Sequence, residues 1–330
     1  MRWPAVLSLL LLGTLTACGP EPGGTPADGA ERGAALPRQV TADERVTLSR
    51  AEEILERRCL ARAGFDVPAP PERGRTELAP PAPALVLSDL AYAREHGYGP
   101  RVRTPEETAR LLADDPVGDY LRALSPKRRA QALRAWQGGG VDTVEVTLPS
   151  GMTRGRSSRG CTSEARGELY GDFRTWFGVD AVDQGVTALA MDRAQEDPAF
   201  TGALRGWSHC VAVRGLPHES PRRLRDALGD SAPRAKEIEY AVAEAECAVS
   251  STLAEIAPEV EERHLARIRA RYLVDVTNAR RMRLAALAKA VRIVREDETA
   301  PDDTTRHTTR RARHPSRAPG TTRPPERQTR

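Results

Sequence analysis

Apolar residues along this chain recur mostly at helical spacing. Val46, Leu48, Ala51, Leu55 and Cys59 mark one side of a helix that Gly64 ends, and Thr41-Ala42-Asp43-Glu44 has the spacing of a capping box at its start, with Ser49 as an alternative start. Ile268, Tyr272, Val276, Ala279, Met282, Ala286, Ala290 and Ile293 recur about every 3.6 residues in a stretch without Pro or Gly. They predict a helix over about 258–296, roughly 60 Å long at ~1.5 Å per residue. A helix of that length either packs antiparallel against the first helices or projects. A projecting end would expose Leu284, Leu287 and Val291 and invite a partner helix, as in a coiled coil.

Shorter helices are expected between these two. Asp89 to His96 ends at Gly97, Thr104-Pro105 opens a helix to Asp114, and Ser125-Pro126 opens one to Gln137 that glycines 138–140 end. Further starts are expected near Asp180, at Pro198 with Asp197 as cap, and at Pro221 with Ser220 as cap. Phe200, Leu204, Trp207 and Val211 form a stripe that reads as core packing. Prolines between Val67 and Pro83 dictate an extended loop. Val144, Val146 and Leu148 alternate with polar residues ahead of Pro149-Ser150-Gly151, so 143–156 reads as a β-hairpin. The expected fold class is mainly α: a disulfide-bonded helical domain with one small hairpin and a long C-terminal helix.

The N-terminus has a different pattern. Arg2 precedes an apolar run, Ala5 to Ala17, that is too short to span a bilayer and has the length of a secretory h-region. It ends in Leu15-Thr16-Ala17-Cys18, which resembles the lipobox cut by lipoprotein signal peptidase. The resemblance implies a signal peptide over 1–17 and a diacylglyceryl group on Cys18, whose thioether would anchor the mature chain to membrane lipid on the extracytoplasmic face. Residues 18–40, rich in Gly, Pro and Ala, read as a flexible tether and 41–296 as the helical domain.

An oxidising compartment changes the reading of the other four cysteines, Cys59, Cys161, Cys210 and Cys247, into a disulfide framework with three possible pairings. Cys59 and Cys210 share a local pattern of Cys, aliphatic, Ala, two residues, Gly and apolar, and each is followed by a further helical cysteine. This predicts Cys59 with Cys161 and Cys210 with Cys247, although so short a pattern also arises by chance in an Ala- and Arg-rich chain.

Composition adds a source and a tail. Of 50 basic residues only Lys127, Lys236 and Lys289 are lysine, a codon bias expected of a high-GC genome. Residues 304–330 carry eight Arg and one Glu, a side-chain balance of +7 in a chain of net +4. The segment 297–330 has no apolar period and reads as a solvated, disordered tail that could also attract anionic lipid or wall polymers. An exported address argues against nucleic acid as a partner.

Chemical signatures are missing. The sequence contains no phosphate loop, no Gly-x-Ser-x-Gly, no Ser-x-x-Lys and no His-Glu-x-x-His, so no catalytic residue and no cofactor is assigned. His209, Cys210 and His218 lie close together, but a fourth ligand is missing and Cys210 is better used in a disulfide, so no metal is expected. Trp136, Trp176 and Trp207 read as core. An exposed pair among Tyr92, Tyr98, Tyr170 and Trp176 would be needed for a sugar platform.

The series Cys-x-x-x-x-Gly-aromatic, Gly160-Cys161 with Ala165 and Leu169-Tyr170-Gly171, Trp207-x-x-Cys210 and Ala245-Glu246-Cys247 resembles a loose group of uncharacterised actinomycete lipoproteins over about 41–296. That resemblance implies a helical, disulfide-bonded fold and no activity. The expected function is a non-enzymatic envelope binding or accessory protein with an envelope protein or cell-wall partner. The alternative is a hydrolase acting on an envelope polymer through a carboxylate pair in a cleft. Oligomeric state is not fixed by the sequence.

Overall fold

A computed structural model describes residues 35–70, 85–99, 115–229 and 232–299, with positions 106, 109 and 113. Cys18, the expected signal segment 1–17, most of the expected tether and the stretch beyond residue 299 lie outside the described residues, as does most of the expected loop from Val67 to Pro83. Of the predicted 105–114 helix, positions 106, 109 and 113 are helical and the rest lies outside. The described residues form eleven α-helices and one antiparallel hairpin. The fold is mainly α, as the apolar spacing predicts.

The folded unit begins at Pro37, four residues before the expected start. Val40 is buried in the core, and the Pro37 carbonyl accepts a hydrogen bond from Arg280 at 3.0 Å. Helix α1 (Ala42–Arg62) opens with the predicted capping box: the Thr41 hydroxyl accepts from the Glu44 amide at 3.2 Å, and the Glu44 carboxylate accepts from the Thr41 amide at 2.7 Å. Arg38 holds the same carboxylate and, with Thr41, brings its pKa down to about 2.

Helices α2 (Leu90–His96), α3 (Pro116–Ala123) and α4 (Pro126–Gln137) follow. Helix α3 is absent from the pattern of apolar positions because it has only eight residues, none of them buried; Asp115 caps it through the Gly118 amide. Strands β1 (Thr143–Thr147) and β2 (Thr153–Ser157) pair with Val144 opposite Arg156. Next come α5 (Cys161–Tyr170), α6 (Phe173–Gln195), α7 (Pro198–Val213), α8 (Pro221–Asp226) and α9 (Arg234–Ser250). Helix α6 starts at Phe173 rather than near Asp180, because Asp172 accepts from the Thr175 amide at 2.7 Å and Phe173, Trp176 and Phe177 are already buried.

The predicted 258–296 helix is two helices, α10 (Leu253–Arg271) and α11 (Leu273–Thr299). Tyr272 leaves helical geometry at φ −118°, ψ 28°, and its amide bonds back three residues to Arg269. The apolar period runs through the break, with Ile268, Val276, Ala279, Ala286, Ala290 and Ile293 all buried, so periodicity alone could not reveal it. Both halves flank α6, but their other partners differ: Val260 belongs to the core of α7 and α9, whereas Ala286, Ala290 and Ile293 pack on Leu48, Ala51 and Leu55 of α1. Pro258 sits inside α10, where it forfeits one backbone bond without stopping the helix.

Helix α6 runs antiparallel to α10 and α11. Arg283 pairs with Asp180 and Asp183, both at 2.5 Å, while Arg263 and His264 reach Asp197, just past the other end of α6, at 2.9 Å. Helix α11 packs along α1 and does not project, and the two run parallel: Arg280 holds Pro37, and Asp297 and Glu296 pair with Arg57 and Arg58. The antiparallel packing expected for it is therefore corrected, and the helix runs through Thr299, past the expected end at 296.

A second core forms where Leu85 and Val86 meet Trp207, Val211, Leu224 and Leu253. The segment 85–99 is held on α9 by two glutamates with no exposure. Glu244 accepts from the Leu87 amide at 2.6 Å, the Tyr98 hydroxyl at 2.9 Å and Arg225; Glu237 accepts from the Tyr98 amide at 2.8 Å and from Arg234 at 2.6 Å. These carboxylates replace the hydrogen bonds that water would give a buried strap of backbone.

Candidate functional site

Two disulfides join the cysteines of the folded unit. Cys59 at the end of α1 bonds Cys161, the first residue of α5, and Cys210 in α7 bonds Cys247 in α9. These are the same pairs that the repeated local pattern puts together. The metal reading of His209, Cys210 and His218 loses its sulfur to that bond. His218 instead lies 6.4 Å from the Tyr240 ring, and its carbonyl accepts from Ser208. The aromatic residues offer no exposed pair among Tyr170 and Trp176: the rings stack at 3.8 Å with Trp176 buried, and Tyr170 donates to Glu52. Tyr98 is buried too, its hydroxyl held by Glu244; burial pushes its pKa up, with the Glu244 charge adding to it.

A groove of about 980 Å³ lies between α4 and the hairpin, open to solvent and floored by the start of α5. Its construction depends on glycine. Gly138 ends α4 in the left-handed conformation at φ +83°, and Gly160 precedes α5 at φ +95°. The two backbones touch: a Cβ on Gly160 would stand 2.4 Å from the Gly138 nitrogen, and one on Gly138 would stand 2.0 Å from the Arg159 carbonyl oxygen. Ser157 ties the hairpin into the same junction. Its hydroxyl donates to the Val141 carbonyl at 2.7 Å, and its own carbonyl accepts from the Ser163 hydroxyl at 2.6 Å. The turn of the hairpin rests on α6 at Gly185, where a Cβ would meet Pro149 at 2.6 Å.

Two arginines line the groove, Arg134 from α4 and Arg156 from β2, and no carboxylate does among the described residues. Their neighbours are all satisfied: Arg154 bonds Gln184, Arg159 pairs with Asp142, Arg166 pairs with Glu52 and Arg174 bonds Ser158. Neither Arg134 nor Arg156 makes a side-chain hydrogen bond or ion pair among the described residues. Arg156 is half-buried, and this burial, with the charge of Arg166 beside it, holds its pKa below the ordinary arginine value. Thr162 also lines the groove at 7% exposure, and its hydroxyl has no partner among the described residues. Gly160 supplies no capping side chain, and the amides of Cys161 and Thr162, at the positive end of α5, have no acceptor among the described residues. Leu133 and Val141, both exposed, give the rim an apolar edge.

Sequence reasoning read glycines 138–140 only as a helix stop. Arg134 and Arg156 are two of many arginines, and nothing in their spacing separates them from those that find carboxylates. Comparison with family models, with curated proteins and with solved structures yields no match.

Proposed function

We propose that this chain is an extracytoplasmic lipoprotein, held on the cell membrane through acylated Cys18, that acts as a non-enzymatic binding protein of the envelope. The observation that carries the reading is the use of cysteine: of five in the chain, the four in the folded unit are bonded in two pairs, and the fifth, Cys18, stands at the end of the sequence that resembles a lipobox. Paired cysteines suit an oxidising compartment, and a lone thiol behind a short apolar run suits lipidation. Two acyl chains at ~0.8 kcal/mol per buried methylene would hold the protein durably at the membrane.

Binding rather than catalysis is supported by the groove, whose lining is cationic and apolar. A hydrolase using two carboxylates would need them across a cleft, and this groove presents arginines in their place.

The test is expression of the whole chain in a bacterium with lipoprotein processing, followed by fractionation and mass spectrometry of the N-terminal peptide. Cleavage before Cys18, diacylglyceryl on its sulfur, and release from the membrane in Cys18→Ala are the expected results. A mature protein with an unmodified Cys18 would overturn the anchor.

A further inference from the structure

We propose that the groove between α4 and the hairpin binds a phosphodiester ligand, recognised by Arg134, Arg156 and the Thr162 hydroxyl at the start of α5. The inference rests on the reading of this protein as an envelope binder for the choice of ligand source, but the site itself stands on its geometry.

Several independent features of the groove point to an anion. Arg134 and Arg156 are the cations that line it, and neither makes a side-chain hydrogen bond or ion pair among the described residues, where the surrounding arginines do. Arg156 is half-buried, and the nearby charges of Glu56 and Glu52 do not make up for its loss of water, a penalty that a bound anion would offset. Thr162 is more than nine-tenths buried, and its hydroxyl has no hydrogen-bond partner among the described residues. It stands in the first turn of a ten-residue helix whose first two amides have no acceptor among the described residues, an arrangement that favours negative charge.

Donor placement favours phosphate over carboxylate. A planar carboxylate is satisfied by one arginine fork, whereas a tetrahedral phosphate takes donors from several directions. Here they come from α4, from β2 and from the floor at α5. The space is also much larger than one phosphate needs. It continues along α4 into a second hollow of about 510 Å³ that shares Ala130 and Arg134 and adds Lys127, again with no acidic lining among the described residues. Lys127, Arg134 and Arg156 thus mark an extended cationic path beside the apolar Leu133 and Val141, suited to a chain of phosphates separated by short polyol units.

The experiment is calorimetric titration of the full chain, disulfides intact, with oligomeric glycerol phosphate, with phosphatidylglycerol vesicles, and with polyglutamate of matched charge. Saturable binding of the oligomer is expected. Arg156→Gln and Arg134→Gln should each weaken it at least tenfold and Thr162→Val several-fold, and added salt should weaken it further. Arg134 is exposed, so its variant folds whatever Arg156→Gln does. Binding of vesicles with the same residue dependence, without binding of the oligomer, supports phosphate recognition and makes the lipid headgroup its source. Polyglutamate binding as tightly as the oligomer, or both arginine variants binding like the parent, overturns the proposal. Absence of binding to every phosphate probe overturns it as well, and leaves the anchor reading to be judged by the state of Cys18.

Discussion

Gly160 and Gly138 meet backbone to backbone, with room for a Cβ on neither: 2.4 Å separates the Cβ position of Gly160 from the Gly138 nitrogen. This contact sets the first turn of α5 against the end of α4. Gly160→Ala should therefore be expensive twice over, once for its φ of +95° and once for the overlap. A loss of about 2–4 kcal/mol in denaturant unfolding is expected. Gly151, at φ +86° in the hairpin turn with open space around it, is the control and should lose only the conformational part, about 1–2 kcal/mol. Equal losses at the two positions would mean that the close approach carries no weight.

The two disulfides close loops of different length, with sequence separations of 102 for Cys59–Cys161 and 37 for Cys210–Cys247. Chain-entropy reasoning assigns roughly 5 kcal/mol to the first and roughly 4 kcal/mol to the second. Replacing each pair by serine should lower stability in that order, as read from urea midpoints. Cys161 adjoins Thr162, so loss of the first bond should also raise amide exchange over 157–165 and spare α7 and α9. Uniform exchange after either replacement would separate the disulfide from the groove.

Much of this fold was legible because its signals are local. Ser125 and Pro126, Asp89 and Gly97, and the capping box at Thr41 start or stop helices through bonds made within four residues, and the structure has each of them. The break at Tyr272 was not legible because α10 and α11 serve different cores through residues distant in sequence, while Ala270, Arg271 and Leu273 beside the break are good helix formers. Leu273 and Val274, exposed at 50% and 72%, are its trace on the surface. Glu237 and Glu244 did leave a signal, since with Ala241, Ala245 and Ala248 they fall on one face of α9, and a charge on an apolar face calls for a buried partner. The groove left none, because whether an arginine is paired depends on residues distant in sequence.

Glu244 has no exposure, and Arg225 is its only cationic partner among the described residues. Arg225→Met would leave that carboxylate inside the protein with only the Leu87 amide and the Tyr98 hydroxyl. A loss of about 3–5 kcal/mol at neutral pH is expected. Burial pushes the Glu244 carboxyl above its ordinary value. A group whose folded pKa is raised contributes stability below its unfolded pKa and loses it as pH rises, so the defect should be smaller near pH 4 than near pH 8. Urea unfolding at the two pH values reads the difference, and a defect that shrinks as pH rises would contradict this account of Glu244.

Asp197 shows the opposite sign. It caps α7 through the Ala199 amide at 2.9 Å and takes hydrogen bonds from His264 and Arg263, each also at 2.9 Å. His264 first, then the Ala199 amide and Arg263, bring its pKa down to about 2. A depressed carboxylate contributes stability that is fully present above its unfolded value near 4 and is lost as pH falls through about 2. Asp197→Asn keeps an oxygen for the cap but cannot ionise. The variant should be less stable than the parent at pH 6, and the gap should close as pH drops from about 4 to about 2, because the parent alone must take up that proton. Thermal unfolding along this series isolates the charge from the cap. A gap that stays constant to pH 2 would assign the whole effect to geometry at the start of α7, and leave His264 and Arg263 as bystanders.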